Sequence, residues 1–155
     1  ISAIDASAPI INYAENLLML AESHLRMGET STALDVLNNY RAFLSTQFSS
    51  SNSQYDSYFL SDFENGGIEN LDGLSTNNAL LREILEERYI SLFNTTENFS
   101  DTRRTYNETA VKVQVAPNTG SELPQRFLYA QTEVDRNSNV PSPIPGFFEP
   151  TPVNQ

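Results

Sequence analysis

Side chains able to hold a ligand concentrate between Ser45 and Asn78, where Tyr55, Tyr58, Phe59 and Phe63 stand among Ser, Asn, Asp and Gly. Aromatic rings set among short polar groups either form an exposed platform or fold back onto a core as packing material, and the sequence leaves both readings open. Covalent chemistry has weaker support. A glycosidase holds two carboxyl groups about 5–9.5 Å apart across the bond it cleaves, whereas Glu86 and Glu87 are neighbours that a helix points in different directions. His24 is the one histidine in the chain. It has no second His for a metal pair and no serine in a nucleophile-elbow pattern, so packing or a surface hydrogen bond is expected of it. Asp62 to Gly73 is rich in acids and glycines, yet Gly73 falls where a calcium loop needs its bidentate glutamate. The absence of Cys removes thiol nucleophiles, disulfides and thiolate-bound zinc. The sequence predicts no enzyme, no cofactor and no metal.

The elements that must carry these residues are mostly helical. Ile10, Tyr13, Ala14, Leu17, Leu18, Ala21 and Leu25 recur at three- and four-residue steps and predict a helix from about Pro9 to Met27. Pro9 suits its first turn and Gly28 its end. Thr30 or Ser31 is then placed to cap a second helix with Ala33, Leu34, Leu37, Tyr40 and Leu44 facing inward. Small Ala21, Gly28 and Ala33 beside bulky Leu17, Leu20 and Leu37 resemble one tetratricopeptide hairpin, at 9–47, which cannot bury both its faces alone.

The stretch 48–77 reads as a loop insertion of roughly thirty residues against a usual connection of about 4–6. Leu81, Ile84, Leu85, Tyr89 and Leu92 predict a third helix over Asn78–Phe93, with a short helix or turn over Phe99–Asn107 closing a helical stretch at 78–107. Arg88 lies near the apolar stripe and needs a carboxylate or carbonyl partner, so a structural ion pair is expected there. Val111, Val113 and Val115 alternate with Lys112 and Gln114 and predict a strand; Phe127–Tyr129 is a second extended piece within 108–139. Five prolines mark 140–155 as an extended covering or a loose tail. The fold class expected is mainly α, with a tetratricopeptide-like hairpin, further helices, minor β structure, and a long irregular insertion and tail.

Nine Lys+Arg against twenty Asp+Glu give a formal charge of −11 in 155 residues. That balance opposes nonspecific binding to phosphate backbones, which depends on clustered cations, so no nucleic acid partner is expected. The longest apolar runs fall far short of the ~20 residues a membrane span needs. The first residues show no cationic stretch followed by an apolar one, so a leader is expected to be absent or removed.

Specific residues carry a family resemblance: Tyr13-Ala14-Glu15-Asn16-Leu17-Leu18, Ala21-Glu22, Arg26-Met27-Gly28, Ala33-Leu34, Leu37-Asn38 and Arg41-Ala42, then Ile84-Leu85-Glu86-Glu87-Arg88-Tyr89 and Leu92-Phe93. Asp101-Thr102-Arg103-Arg104-Thr105 follows, and finally Leu123-Pro124-Gln125-Arg126-Phe127-Leu128-Tyr129 with Glu133 and Asn137-Ser138-Asn139. In this order they resemble the carboxy-terminal part of the SusD/RagB family of Bacteroidetes outer-membrane nutrient-binding lipoproteins, in the subgroup with an Arg-Arg-Thr motif. Where the family often has Glu-Gly before an aromatic turn, this chain has Asn94 to Ser100.

The resemblance implies a non-enzymatic protein on the extracellular face of the outer membrane. Such a protein is tethered by a lipid anchor outside this chain and captures oligosaccharide or polysaccharide for a SusC-like TonB-dependent transporter in polysaccharide utilisation. Peptide nutrients or a generic helical interaction scaffold are the alternatives. Sugar rings offer C–H faces to aromatics and hydroxyls to short polar groups, so Tyr55, Tyr58, Phe59, Asn65 and Asp72 are the candidate ligand-binding residues.

Overall fold

The computed structural model describes residues 11–48, 53–93, 95–118 and 120–151. Along them run α1 (Tyr13–Arg26), α2 (Thr30–Phe48), α3 (Thr76–Ser91), α4 (Thr96–Arg104) and α5 (Gln131–Arg136), with 3-10 turns at Ser53–Tyr55 and Leu60–Phe63. The fold is mainly α, as the periodicity predicts.

α1 and α2 form the antiparallel hairpin. The first of them starts later than its apolar pattern suggests, because Asn12 is in extended conformation and its side chain accepts from the Glu15 amide at 2.8 Å. Asparagine satisfies an otherwise unpaired first-turn donor in this position. Pro9 and Ile10 lie outside the described residues. At the other end Gly28 has φ of 85°, with Gly28 N–H donating to the Leu25 carbonyl and Glu29 N–H to the His24 carbonyl, both at 2.9 Å. This is a Schellman turn, which needs a left-handed residue. Thr30 does not act as a cap: its hydroxyl donates to Asn77 Oδ1 on α3, 2.9 Å away. A Cβ at Gly28 would meet nothing within 4 Å, so Gly28→Ala is opposed by backbone conformation alone. Urea unfolding should show a loss of about 1 kcal/mol, and a smaller loss for Gly28→Asn, which tolerates positive φ better.

α3 covers the inner side of the hairpin and lies mainly along α1. Leu18, Leu37, Leu80 and Ile84 are fully buried between the three helices, with Ala21, Ala33 and Ala79 permitting close approach. Each such large side chain contributes about 2 kcal/mol of burial. Phe63 from the inserted loop enters this same core. The loop is held by Asn70, wholly buried, whose amide donates to the carbonyls of Phe63 (2.9 Å) and Leu74 (2.7 Å) while its oxygen accepts from Leu74 N–H (2.7 Å). Tyr13, expected inward, is 57 % exposed instead.

α4 buries none of its residues and is attached by charge. Glu22 on α1 accepts from Arg26 Nε (2.7 Å) and Arg104 (2.5 and 3.0 Å), and reaches Arg88 Nη1 at 3.5 Å. Arg88 Nε lies 2.5 Å from Asp101 of α4. The ion pair expected of Arg88 is therefore present, and it ties α3 to both α1 and α4.

Two expectations fail. Among the described residues there is no strand. Val111 is buried and Val113 packs against the helical core, so the alternation records one apolar side of a covering segment with no partner strand. Gln131–Arg136 forms a helix within a stretch expected to hold strands and loops; it is short, buries nothing and shows no apolar periodicity. Phe127–Tyr129 is unpaired as well. The proline-rich end acts as a covering: Arg126 donates to the carbonyls of Glu149 (2.9 Å) and Pro150 (2.8 Å), and Gln125 N–H to that of Phe147 (3.0 Å). No helix of the described residues is long and apolar enough to cross a membrane.

Candidate functional site

The last turns of α2, the start of α1, the end of α3 and the segment 54–58 enclose a cleft of ≈ 780 Å³, within the usual range for a small-molecule site. Its position follows from the length of α2, which runs past the start of α1: Leu44 still packs against the core, while Phe43 lies beside Tyr13 and Phe48 projects beyond it. Tyr13 meets Phe43 edge-on with ring centres 5.1 Å apart, and Phe48 lies 6.4 Å from Tyr55 at a tilt of 33°. Phe48 and Ile90 are 65 % and 68 % exposed. The cleft therefore offers aromatic edges and faces to solvent.

Its floor is polar and internally satisfied. Arg41 is buried and donates through Nε to the Asp56 carbonyl and through Nη2 to the Gln54 carbonyl, each at 2.8 Å. Its guanidinium also stacks 3.9 Å from the centre of the Tyr58 ring and lies 3.4 Å from Glu87. One cation thus fixes the whole 54–58 segment, an arrangement suited to the planar, multiply donating guanidinium. Asn38 reinforces it, exchanging hydrogen bonds with the Tyr58 backbone at 2.8 and 3.0 Å. Tyr40 hydroxyl sits 2.6 Å from Ser91 Oγ and donates to Glu87 Oε2 at 3.2 Å. Burial, opposed by the Tyr40 hydroxyl and Arg41, raises the Glu87 carboxyl above its ordinary range; burial likewise raises the Tyr40 phenol.

The five candidate residues are not gathered in one place. Tyr55 and Tyr58 line the cleft. Tyr58 turns its hydroxyl inward, 3.0 Å from Glu69 Oε1 and 2.9 Å from Glu83 Oε1, and packs its ring edge-on against Phe63. Phe59, at 72 % exposure, and Asn65 lie on the outside of the loop. Asp72 is exposed too, paired with Arg82 at 2.6 Å beside a smaller polar hollow that Glu69, Glu83, Glu86 and Lys112 share. Hydrogen bonding to Arg82 holds the Asp72 carboxyl below its usual range.

Sequence reasoning missed Tyr13, Phe43, Phe48 and Ile90 as cleft residues. Tyr13 is spaced with the apolar stripe of α1, whereas Phe43, Phe48 and Ile90 lie outside the stripes read on α2 and α3, and only the packing of the three helices brings the four side chains to one cleft. Among the described residues Glu87 is the one carboxyl lining the cleft, so these residues do not assemble there the paired carboxyls of glycoside hydrolysis. His24 makes the surface hydrogen bond expected of it, 2.5 Å from Glu29 Oε2. Among the described residues no group of three or more His, Cys, Asp or Glu is arranged to hold a metal ion.

A cleft of this kind can stack flat apolar faces against its rings and meet hydroxyls at Glu87, Ser91 and Gln54. Comparison with known proteins gives one positive result: the family model described as SusD family matches residues 2–146. No curated protein and no solved structure matches the chain.

Proposed function

The chain belongs to the SusD family, nutrient-binding proteins that work with SusC-like transporters at the outer membrane, and on that premise we propose that it captures oligosaccharide or polysaccharide without cleaving it, for delivery to a TonB-dependent transporter. The observation that carries the ligand class is the cleft itself, where Tyr13, Phe43, Phe48 and Tyr55 surround a polar floor of fixed geometry. Sugars are amphipathic in this way, with C–H faces for rings and hydroxyls for polar groups, and a pre-formed floor keeps the ordering cost of binding small.

Tyr55 and Tyr58 serve this cleft, while Phe59, Asn65 and Asp72 offer a second line of contact to a long chain passing over the loop. Residues 1–155 are taken as the carboxy-terminal part of such a receptor. Exposed Met19 and Leu20 on α1, with Met27 just past its end, fit burial against further hairpins, and a lipid anchor outside this chain would hold the receptor at the cell surface.

Gel retardation with a panel of soluble polysaccharides, followed by calorimetry on those that retard, tests the reading. Tyr55→Ala is expected to weaken glycan affinity about five- to tenfold, the loss of one ring contact worth roughly 1 kcal/mol, without lowering the unfolding midpoint by more than a degree or two. Retention of peptides with no glycan retarded would replace sugar by peptide as the nutrient. Failure of both, with no barrel protein co-purifying, would leave only a helical interaction scaffold.

A further inference from the structure

Tyr58 has one hydroxyl hydrogen and two carboxyl oxygens within hydrogen-bond distance, Glu69 Oε1 at 3.0 Å and Glu83 Oε1 at 2.9 Å. Two carboxylates accept only, so one of them would face a phenol lone pair at contact distance with no hydrogen between. The geometry is satisfied when one carboxyl is protonated and donates to the phenol oxygen, which then donates onward to the other. Glu83 belongs to α3, whereas Tyr58 and Glu69 both belong to the inserted loop. We infer that Glu83 holds the proton while the loop is docked, and that the chain Glu83–Tyr58–Glu69 is a latch whose loosening as pH rises frees the Tyr58 wall of the cleft.

The surroundings agree with this assignment. Burial, and then the neighbouring Glu69, push the Glu83 carboxyl up to about 7, with Glu87 and Glu86 on the same helix adding to the effect against the Tyr58 hydrogen bond. Burial, then Glu83, also raises the Tyr58 phenol, so the hydroxyl keeps its hydrogen. The cations nearby are engaged with other groups. Arg82 holds Asp72 and the Glu69 carbonyl. Arg41 from α2 stacks on the Tyr58 ring and pairs with Glu87. Lys112, from the segment that closes the hollow, sits 4.7 Å over the Tyr106 ring.

The direction of the pH effect follows. An undocked Glu83 has the ordinary value of 4.5, against about 7 when docked. Below 4.5 both forms hold the proton and the latch has full strength. Between 4.5 and 7 the open form ionises first, so the opening constant rises by up to tenfold per pH unit, and above 7 it levels off. The effect on ligand capture rests on the binding role proposed above; the latch itself does not.

Native-state amide exchange of the full chain, corrected for intrinsic rates, reads the latch without any ligand. Amides between Tyr58 and Asn70 should open progressively from pH 5 to pH 7. Glu83→Gln keeps a hydrogen bond to the phenol and should abolish that slope, while Tyr58→Phe should raise opening already at pH 5. In the wild-type chain, the Glu83 side-chain carboxyl carbon should titrate near 7 by ¹³C NMR, a measurement that stands even if a variant fails to fold. A midpoint below 5, or an undiminished slope in Glu83→Gln, overturns the latch. Loss of glycan binding with the slope intact would instead reject the binding role alone.

Discussion

Glu22→Ala is expected to lower the unfolding free energy by about 4 kcal/mol at pH 7. The Glu22 side chain is only 7 % exposed and meets three guanidinium groups, those of Arg26, Arg88 and Arg104. Asp101 and Glu108 are the other acids of the cluster, Asp101 against Arg88 and Arg104 and Glu108 against Arg26. Three carboxylates therefore balance three cations, and removing Glu22 leaves three cations facing two acids in a site where Arg88 is almost excluded from water. A buried charge left without its partner is far more damaging than a surface pair lost. Arg26→Ala, which removes a side chain 37 % exposed, should cost no more than about 1 kcal/mol.

The consequence is local before it is global. α4 has nine residues and no buried side chain, too short a helix to persist unsupported. Apart from the Asn98 amide donating to the Tyr89 carbonyl, its links to α1 and α3 run through Glu22 and Asp101. Amides of Thr96–Arg104 should lose exchange protection first in Glu22→Ala. Acid gives a second check. Burial raises the Glu22 carboxyl, but hydrogen bonds and charge from Arg104 and Arg26 outweigh it and hold the carboxyl below 4.5. Its contribution is present above the ordinary carboxylate range and fades as pH falls through the lowered value, so the gap between wild type and variant should narrow towards pH 3. A deficit under 1 kcal/mol at pH 7, or one that widens in acid, would contradict this account of the cluster.

The three long helices were legible because periodic leucines on α1, α2 and α3 mark one face each, and Gly28 announces the turn between the first two. What misled was pattern without context. Apolar spacing extends back to Ile10, yet Asn12-Tyr13-Ala14-Glu15 holds the start signal, a capping asparagine followed three residues later by glutamate. Val111 to Val115 alternates as a strand would, yet Val111 sits in a turn hydrogen-bonded back to Glu108, and the alternation serves to bring Val111 and Val113 onto the helical core. The inserted loop shows the limit most clearly. Phe59 and Phe63 are four residues apart in the same polar stretch, yet one is 72 % exposed and the other wholly buried. Composition places aromatics there but cannot say which ring enters the core. The cleft was half legible: Tyr55 and Tyr58 stand out as aromatics in a loop, whereas Phe43 and Phe48 acquire a surface role only through packing between elements distant in sequence.

Asn70 gives the loop its shape, and Asn70→Ala is expected to cost about 3 kcal/mol, with three hydrogen bonds lost and the Phe63 carbonyl and the Leu74 amide and carbonyl deprived of the Asn70 side chain. The residue stands between Phe63, which enters the helical core, and Leu74, where the chain turns into α3, so it fixes the path of everything between. Close backbone packing leaves the loop little room to adapt. Gly67 sits where a Cβ would lie 2.4 Å from the carbonyl oxygens of Ser61 and Asp62. Asn70→Asp separates hydrogen bonding from volume. It retains the acceptor for Leu74 N–H but turns the two donated bonds into a carboxylate facing two carbonyl oxygens, so at pH 7 it should be more damaging than alanine and should recover in part as acid protonates it. Because Tyr58, Phe59, Asn65, Glu69 and Asp72 all ride on this loop, either change should also weaken glycan binding well beyond Tyr55→Ala while leaving the far-ultraviolet helical signal in place. Unchanged affinity in a folded Asn70→Ala protein would show that the loop takes no part in capture and confine the ligand to the α2 overhang.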